Sequence, residues 1–207
     1  AVQVPRFNAA NIAKDFAGET ETMAARIVAA VREDYANFDV TILSTSEDAA
    51  FEPGMTRVFF GTFDEALLGI AQGVDEFNSI PGQSAIVFTD TFEAFTILRP
   101  TVSDLGQAIG NVASHEIGHL LGLVHSEDPE GLMDVTASLG QLLVDQTFRR
   151  SPIYGDVFPL GFQDEVRSLL DAVGGKESVA EAIKPNADRF PVRAKAVRGD
   201  RPAREGF

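Results

Sequence analysis

The sequence predicts an α+β domain: a mixed, mostly parallel sheet backed by helices. Three observations carry that expectation. Apolar residues recur at helical spacing over Glu19–Phe38 and Asp104–Leu123. Three short runs between them are β-branched or aromatic and bounded by turn residues. Long loops separate the elements. At 207 residues without a biased tract, one domain with at most a small appendage is expected.

In the first helical stretch Met23, Ile27, Ala30, Val31 and Tyr35 share one face, and acids in the first turn suit the helix dipole. Val40–Thr45 (VTILST) and Arg57–Thr62 (RVFFGT) read as strands, while Leu67–Val74 (LLGIAQGV) is ambiguous. A loop over Asp75–Gln83, with Asn78, Pro81 and Gly82, leads into a clearer strand at Ala85–Thr89. Asp104–Leu123 is the long helix, and Gln163–Val173 a final one stopped by Gly174-Gly175. The expected fold therefore occupies 1–175. Residues 176–207, with 8 basic and 5 acidic side chains and prolines at 185, 191 and 202, read as a basic, extended or flexible extension.

Composition removes several function classes. The chain carries 31 acidic and 17 basic residues, so nonspecific attraction to nucleic acid or anionic lipid is disfavoured. No run approaches the roughly 18 apolar residues of a membrane span. Cysteine is absent, which removes disulfides, thiolate catalysis and cysteine-bound metals. The chain opens with Ala1 and no charged-then-apolar leader, as expected of a processed form or a fragment.

The chemistry concentrates in HEIGHLLGLVH, His115 to His125. Residues four apart lie on one helical face, so His115 and His119 can aim both imidazoles at one cation. Gly122 accepts the positive φ of a sharp turn, which would return His125 to the same point as a third ligand. In a continuing helix His125 would sit about 15 Å from His115 along the axis. Three neutral imidazoles suit a tetrahedral Zn²⁺ with one open corner, where water is acidified towards a pKa of about 7. Glu116, the only acid in the run, is the candidate general base and proton shuttle. Chance placement of all five residues has odds of roughly one in a million.

This segment resembles the elongated zinc motif of the metzincin metallopeptidases, and Gly131-Leu132-Met133-Asp134 stands where their methionine turn is found. Ser126 after the last histidine, Asp128-Pro129, and the final Phe162–Gly174 segment look most like the matrixin branch, in its bacterial form. The resemblance implies a metzincin catalytic domain: a twisted sheet with an antiparallel edge strand, backed by a long active-site helix and a C-terminal helix. It implies one catalytic Zn²⁺ on His115, His119 and His125, Glu116 as catalytic residue, and Met133 as an apolar floor beneath the rings. It also implies an endopeptidase acting on peptide or protein substrates, secreted or in the cell envelope. Gly69–Val74 is the candidate edge for an extended substrate, and Val135–Leu160, with Arg149-Arg150, the candidate wall of its side-chain pocket.

The departures narrow this reading. With three histidines in all, a second histidine-bound zinc has no ligands. Asp75, Glu76, Asp90 and Glu93 leave Ca²⁺ open without a dedicated ligand spacing. Asp134 and Val135 follow Met133, so no tyrosine ligand comes from that turn, and Tyr154 is the remaining tyrosine near the cleft in sequence. The alternatives are a narrow-cleft zinc peptidase acting on short peptides and a catalytically weak binding or adhesion module. The intact Glu116 argues against the latter. Oligomeric state is left open.

Overall fold

The computed structural model describes residues 4–47, 49–155 and 160–176. Its first long helix, α1 (Thr20–Asp34), buries Met23, Ile27, Ala30 and Val31, the stripe read from the sequence. Tyr35 follows at the helix end, buried, and its hydroxyl donates to the Ser114 carbonyl at 2.9 Å. Strands β1 (Arg57–Phe60), β2 (Gly69–Ala71) and β3 (Ser84–Val87) form one sheet in the order β1-β3-β2. β1 runs parallel to β3, with Phe59 opposite Ile86, and β2 antiparallel to it, with Ile70 opposite Ile86. The ambiguous Leu67–Val74 segment thus contains the antiparallel edge strand.

The expected strand at Val40–Thr45 does not form. Its flank makes only an isolated bridge, Phe38 to Gly175. Arg32 of α1 instead donates from Nε and Nη2 to the Ile42 carbonyl, at 3.2 and 3.1 Å. Val40 and Ile42 pack on the core, so the apolar character that suggests a strand serves packing alone.

After β3, ten residues of 3₁₀ helix (Thr89–Leu98) bury Phe92 and Phe95, whose rings stack 4.9 Å apart. Arg99 ends this run in the left-handed region. Thr101 then caps α2 (Val102–Leu120): its hydroxyl accepts from Asp104 N while Asp104 accepts from Thr101 N. α2 lies between α1 on one side and β2 and β3 on the other, which explains why thirteen of its residues are buried. Beyond it come a short helix, α3 (Leu139–Leu142), and an antiparallel pair, β4 (Arg150–Pro152) and β5 (Phe162–Asp164). The final helix, α4 (Glu165–Val173), buries Leu169. Neither the pair nor the 3₁₀ run follows from the sequence pattern, because three-residue strands carry almost no periodicity.

The chain continues past α4 through Gly175, and Lys176 N donates to Asn37 O at 3.1 Å. The expected extension, from residue 177 onward, lies outside the described residues. Among the described residues no helix is long and apolar enough to cross a membrane.

Candidate metal centre

Two turns of α2 and the bend that ends it assemble the site. The helix closes with paired hydrogen bonds, Leu123 N to Gly118 O at 2.9 Å and Gly122 N to His119 O at 3.0 Å. That is the pattern of a left-handed glycine cap. Gly122 has φ +96°, and a Cβ there would lie 2.9 Å from Glu76 Cα. The facing loop is tied to the same turn, for Asp75 N donates to His119 O at 3.0 Å. The chain thus reverses under Gly122 and returns His125 beside the helix.

His115, His119 and His125 converge as expected. Each offers a ring nitrogen, and the three lie within 4.8 Å of one another. His119 Nε2 and His125 Nε2 are 3.1 Å apart. The opposite ring nitrogens are held by main chain: His115 Nδ1 by Leu132 O at 2.7 Å and His119 Nδ1 by Leu123 O at 2.8 Å. A carbonyl accepts only from N–H, so each contact fixes the tautomer that leaves Nε2 with a free lone pair. Burial, reinforced by the neighbouring rings, pushes the pKa of His115 down to about 3; burial and His125 push His119 to about 4. Both rings are therefore neutral near pH 7, as a cation requires. The donor set, neutral nitrogens in a tight triangle, fits zinc. Among the described residues it is the one group that could hold a metal ion.

Glu116, also on α2, is buried and points under the edge strand. A Cβ on Gly69 would sit 2.5 Å from Glu116 Oε1, so only glycine leaves room for the carboxylate. Burial pushes the Glu116 pKa up to about 7, offset in part by the Ala71 backbone N–H.

Met133 is fully buried beneath the helix, and a Cβ on Gly118 would meet its Sδ at 2.6 Å. The methionine sulfur fills the groove that Gly118 opens in α2. The turn is knotted by Asp134, whose Oδ1 accepts from Asp128 N and Thr136 Oγ1 and whose Oδ2 accepts from Thr136 N.

Several supporting residues were not singled out from the sequence. The Gln163 carboxamide accepts from Val124 N at 2.8 Å and donates to Val124 O at 2.9 Å, clamping the residue before His125. Glu165, wholly buried, accepts from Ser126 Oγ and Arg149 N. Asp134 alone left a local signal, the Asp-x-Thr that favours a side-chain-to-backbone turn. Tyr154 is half-buried, and its N–H donates to His125 O at 2.9 Å.

Arg149 pairs with Asp128 and Glu130, and Arg150 lies over the Phe162 ring at 4.5 Å. The four candidate calcium acids are not gathered. Asp75 spends its carboxylate on Ser79 N, Ser79 Oγ and Ile80 N of its own loop.

Three imidazoles on a glycine-turned helix, over a buried methionine and beside a buried glutamate, form a group that could hold a metal ion. Residues 14–146 match the family model Peptidase_M10, Matrixin, and the chain belongs to that family of zinc metallopeptidases. No curated protein and no solved structure matches it.

Proposed function

We propose that this chain is a zinc-dependent endopeptidase that cuts peptide bonds in proteins, with Glu116 as general base and His115, His119 and His125 as the zinc ligands. The observation that carries the reading is Glu116. Its carboxylate sits next in sequence to a ligand, buried, with a raised pKa, against an edge strand whose glycine makes space for it.

When bound, zinc supplies Lewis acidity toward a water and a peptide carbonyl. The rest of the work falls to the protein. Glu116 takes a proton from the attacking water and delivers it to the departing amine, a task suited to a carboxylate near neutral pKa. β2 orients the substrate. Gln72 N bonds Ser84 O and Phe88 N bonds Leu68 O, so the alternate backbone groups at Gly69 and Ala71 face away from β3, the Ala71 N–H toward Glu116. Among the described residues β2 pairs with β3 alone, and an extended peptide can add along its outer side. Met133 keeps the rings on a dry, rigid floor. We further propose that the protein acts outside the cytoplasm, where a protein-degrading activity is tolerable to its host.

The test is Glu116→Ala, read by zinc content and by cleavage of a broad peptide library. Zinc should stay at one per chain while kcat/KM falls by at least about 10²-fold, the scale of a lost general base. Equal cleavage by both proteins would remove Glu116 from the reaction. A zinc-loaded wild type that cleaves nothing would favour a binding module.

A further inference from the structure

We infer that Asn111 is a positioning residue for substrate selection: its carboxamide fixes the loop after the Met133 turn against the helix face that carries His115, and so sets the cleft wall on that side of the scissile bond. This deepens the endopeptidase reading and rests on it.

Gln107, Asn111, His115 and His119 fall at successive intervals of four, so they form one stripe along α2. A buried helix face is ordinarily apolar, yet Gln107 is 5 % and Asn111 1 % exposed. Asn111 Nδ2 donates to Leu142 O at 3.0 Å and to Val144 O at 2.8 Å, and Asn111 Oδ1 accepts from Gln107 Nε2 at 2.7 Å. Every polar atom of the carboxamide is thus used. Gln107 is steadied in turn by the Arg26 guanidinium of α1 and reaches Asp145 Oδ1 at 3.3 Å.

An apolar residue at 111 would pack as well on α2 but would leave two loop carbonyls without partners. The chain between these anchors is held at its other end too, because Leu132 O bonds His115 Nδ1. Residues 132–144 therefore arch between two points one turn apart on a single helix face, at the first candidate ligand and at Asn111. Val135, Leu139 and Val144 remain exposed along this arch. A substrate side chain beside His115 meets apolar groups whose position the carboxamide dictates.

The test uses the zinc-loaded full chain as wild type, Asn111→Leu and Gln107→Met. Substrates are peptides that differ only in the residue following the scissile bond. In Asn111→Leu, amide exchange over 138–146 should accelerate at least about tenfold relative to α1, with one zinc per chain retained. The spread of kcat/KM between best and worst peptides should narrow by about tenfold, through KM and not kcat. Gln107→Met, which frees the Asn111 carboxamide to turn and also releases Arg26 and Asp145, should move both readouts the same way by a smaller factor, and it decides the matter if Asn111→Leu does not fold. An active wild type whose variants show unchanged peptide ratios and unchanged loop exchange overturns this inference alone. A uniform fall in kcat across all peptides also overturns it, since that marks damage to the metal site. Absence of cleavage by the wild type overturns the endopeptidase reading, and selectivity with it, while the exchange data still report on the tether.

Discussion

Gly69 shows how far a single residue fixes the candidate base, Glu116. With Oε1 of Glu116 only 2.5 Å from where a Cβ would stand, Gly69→Ala forces the carboxylate to move. The obstacle is a backbone-anchored methyl, so the side chain yields. A displacement near 1 Å is enough to cost about 10²-fold in rate. We expect Gly69→Ala to keep its zinc and its stability within about 1 kcal/mol but to lose kcat/KM on that scale. Full activity would show that Glu116 works from another position. At this scale the sequence was informative wherever local geometry decides. The spacing of four between His115 and His119 and the glycine at 122 determine where the candidate ligands go. It was silent where partners lie far apart: Gln163 clamps Val124 across 39 residues and Asn111 holds Leu142 across 31, and no local pattern marks either.

Helices were the legible elements, because each presents several apolar residues in register to a core. Met23, Ile27, Ala30 and Val31 on α1 needed no tertiary knowledge. Val40–Thr45 has strand composition but no strand neighbour among the described residues, and pairing, unlike helix bonding, requires one. The start of α4 illustrates an element whose role lies in its charge. Glu165, its first residue, is wholly buried, and burial pushes its pKa up to about 7, with Arg149 N, Ser126 and Gln163 opposing through hydrogen bonds and Asp128 adding repulsion. The folded acid binds its proton more tightly than the unfolded one, whose pKa is near 4.5. Its contribution is therefore complete below about pH 4.5 and fades as pH rises to about 7, by on the order of 3 kcal/mol. Asp34 and Glu116 are shifted up to about 7 as well, chiefly by burial, and act with the same sign. In metal-free protein His115 and His119 oppose these acids, because burial keeps them neutral in the fold while the unfolded chain protonates them below about pH 6.5. The Glu165 share is isolated by comparison: the stability of wild type relative to Glu165→Gln should fall from pH 4.5 to 7 by on the order of 3 kcal/mol. A Glu165→Gln protein whose melting temperature follows pH as steeply as wild type would contradict this account.

At the scale of the whole molecule the candidate ligands join pieces that the backbone brings together only loosely. His115 and His119 belong to α2, the central helix, whereas His125 belongs to the segment bridged on one side to Asp134 and on the other to Ile153, through Ser126. Without an ion, main-chain hydrogen bonds, the Gln163 clamp, the His119 ring on Leu123 O and Glu165 on Ser126 Oγ hold that segment beside α2. A cation bound by all three rings cross-links the two, and its binding free energy becomes folding free energy because the unfolded chain has no such triangle. Above the dissociation constant, each tenfold rise in free zinc adds about 1.4 kcal/mol to stability. The expected outcome is a melting temperature that climbs with free zinc, falls on chelation and recovers on readdition. Amide protection over 123–135 should gain more from the metal than protection in α1. His125→Ala should abolish the zinc dependence while sparing the Gln163 clamp and the α2 cap. A wild-type melting temperature indifferent to zinc, or a His125→Ala protein that still responds fully, would mean that the third imidazole does not bind the ion and that the two pieces are joined by other means.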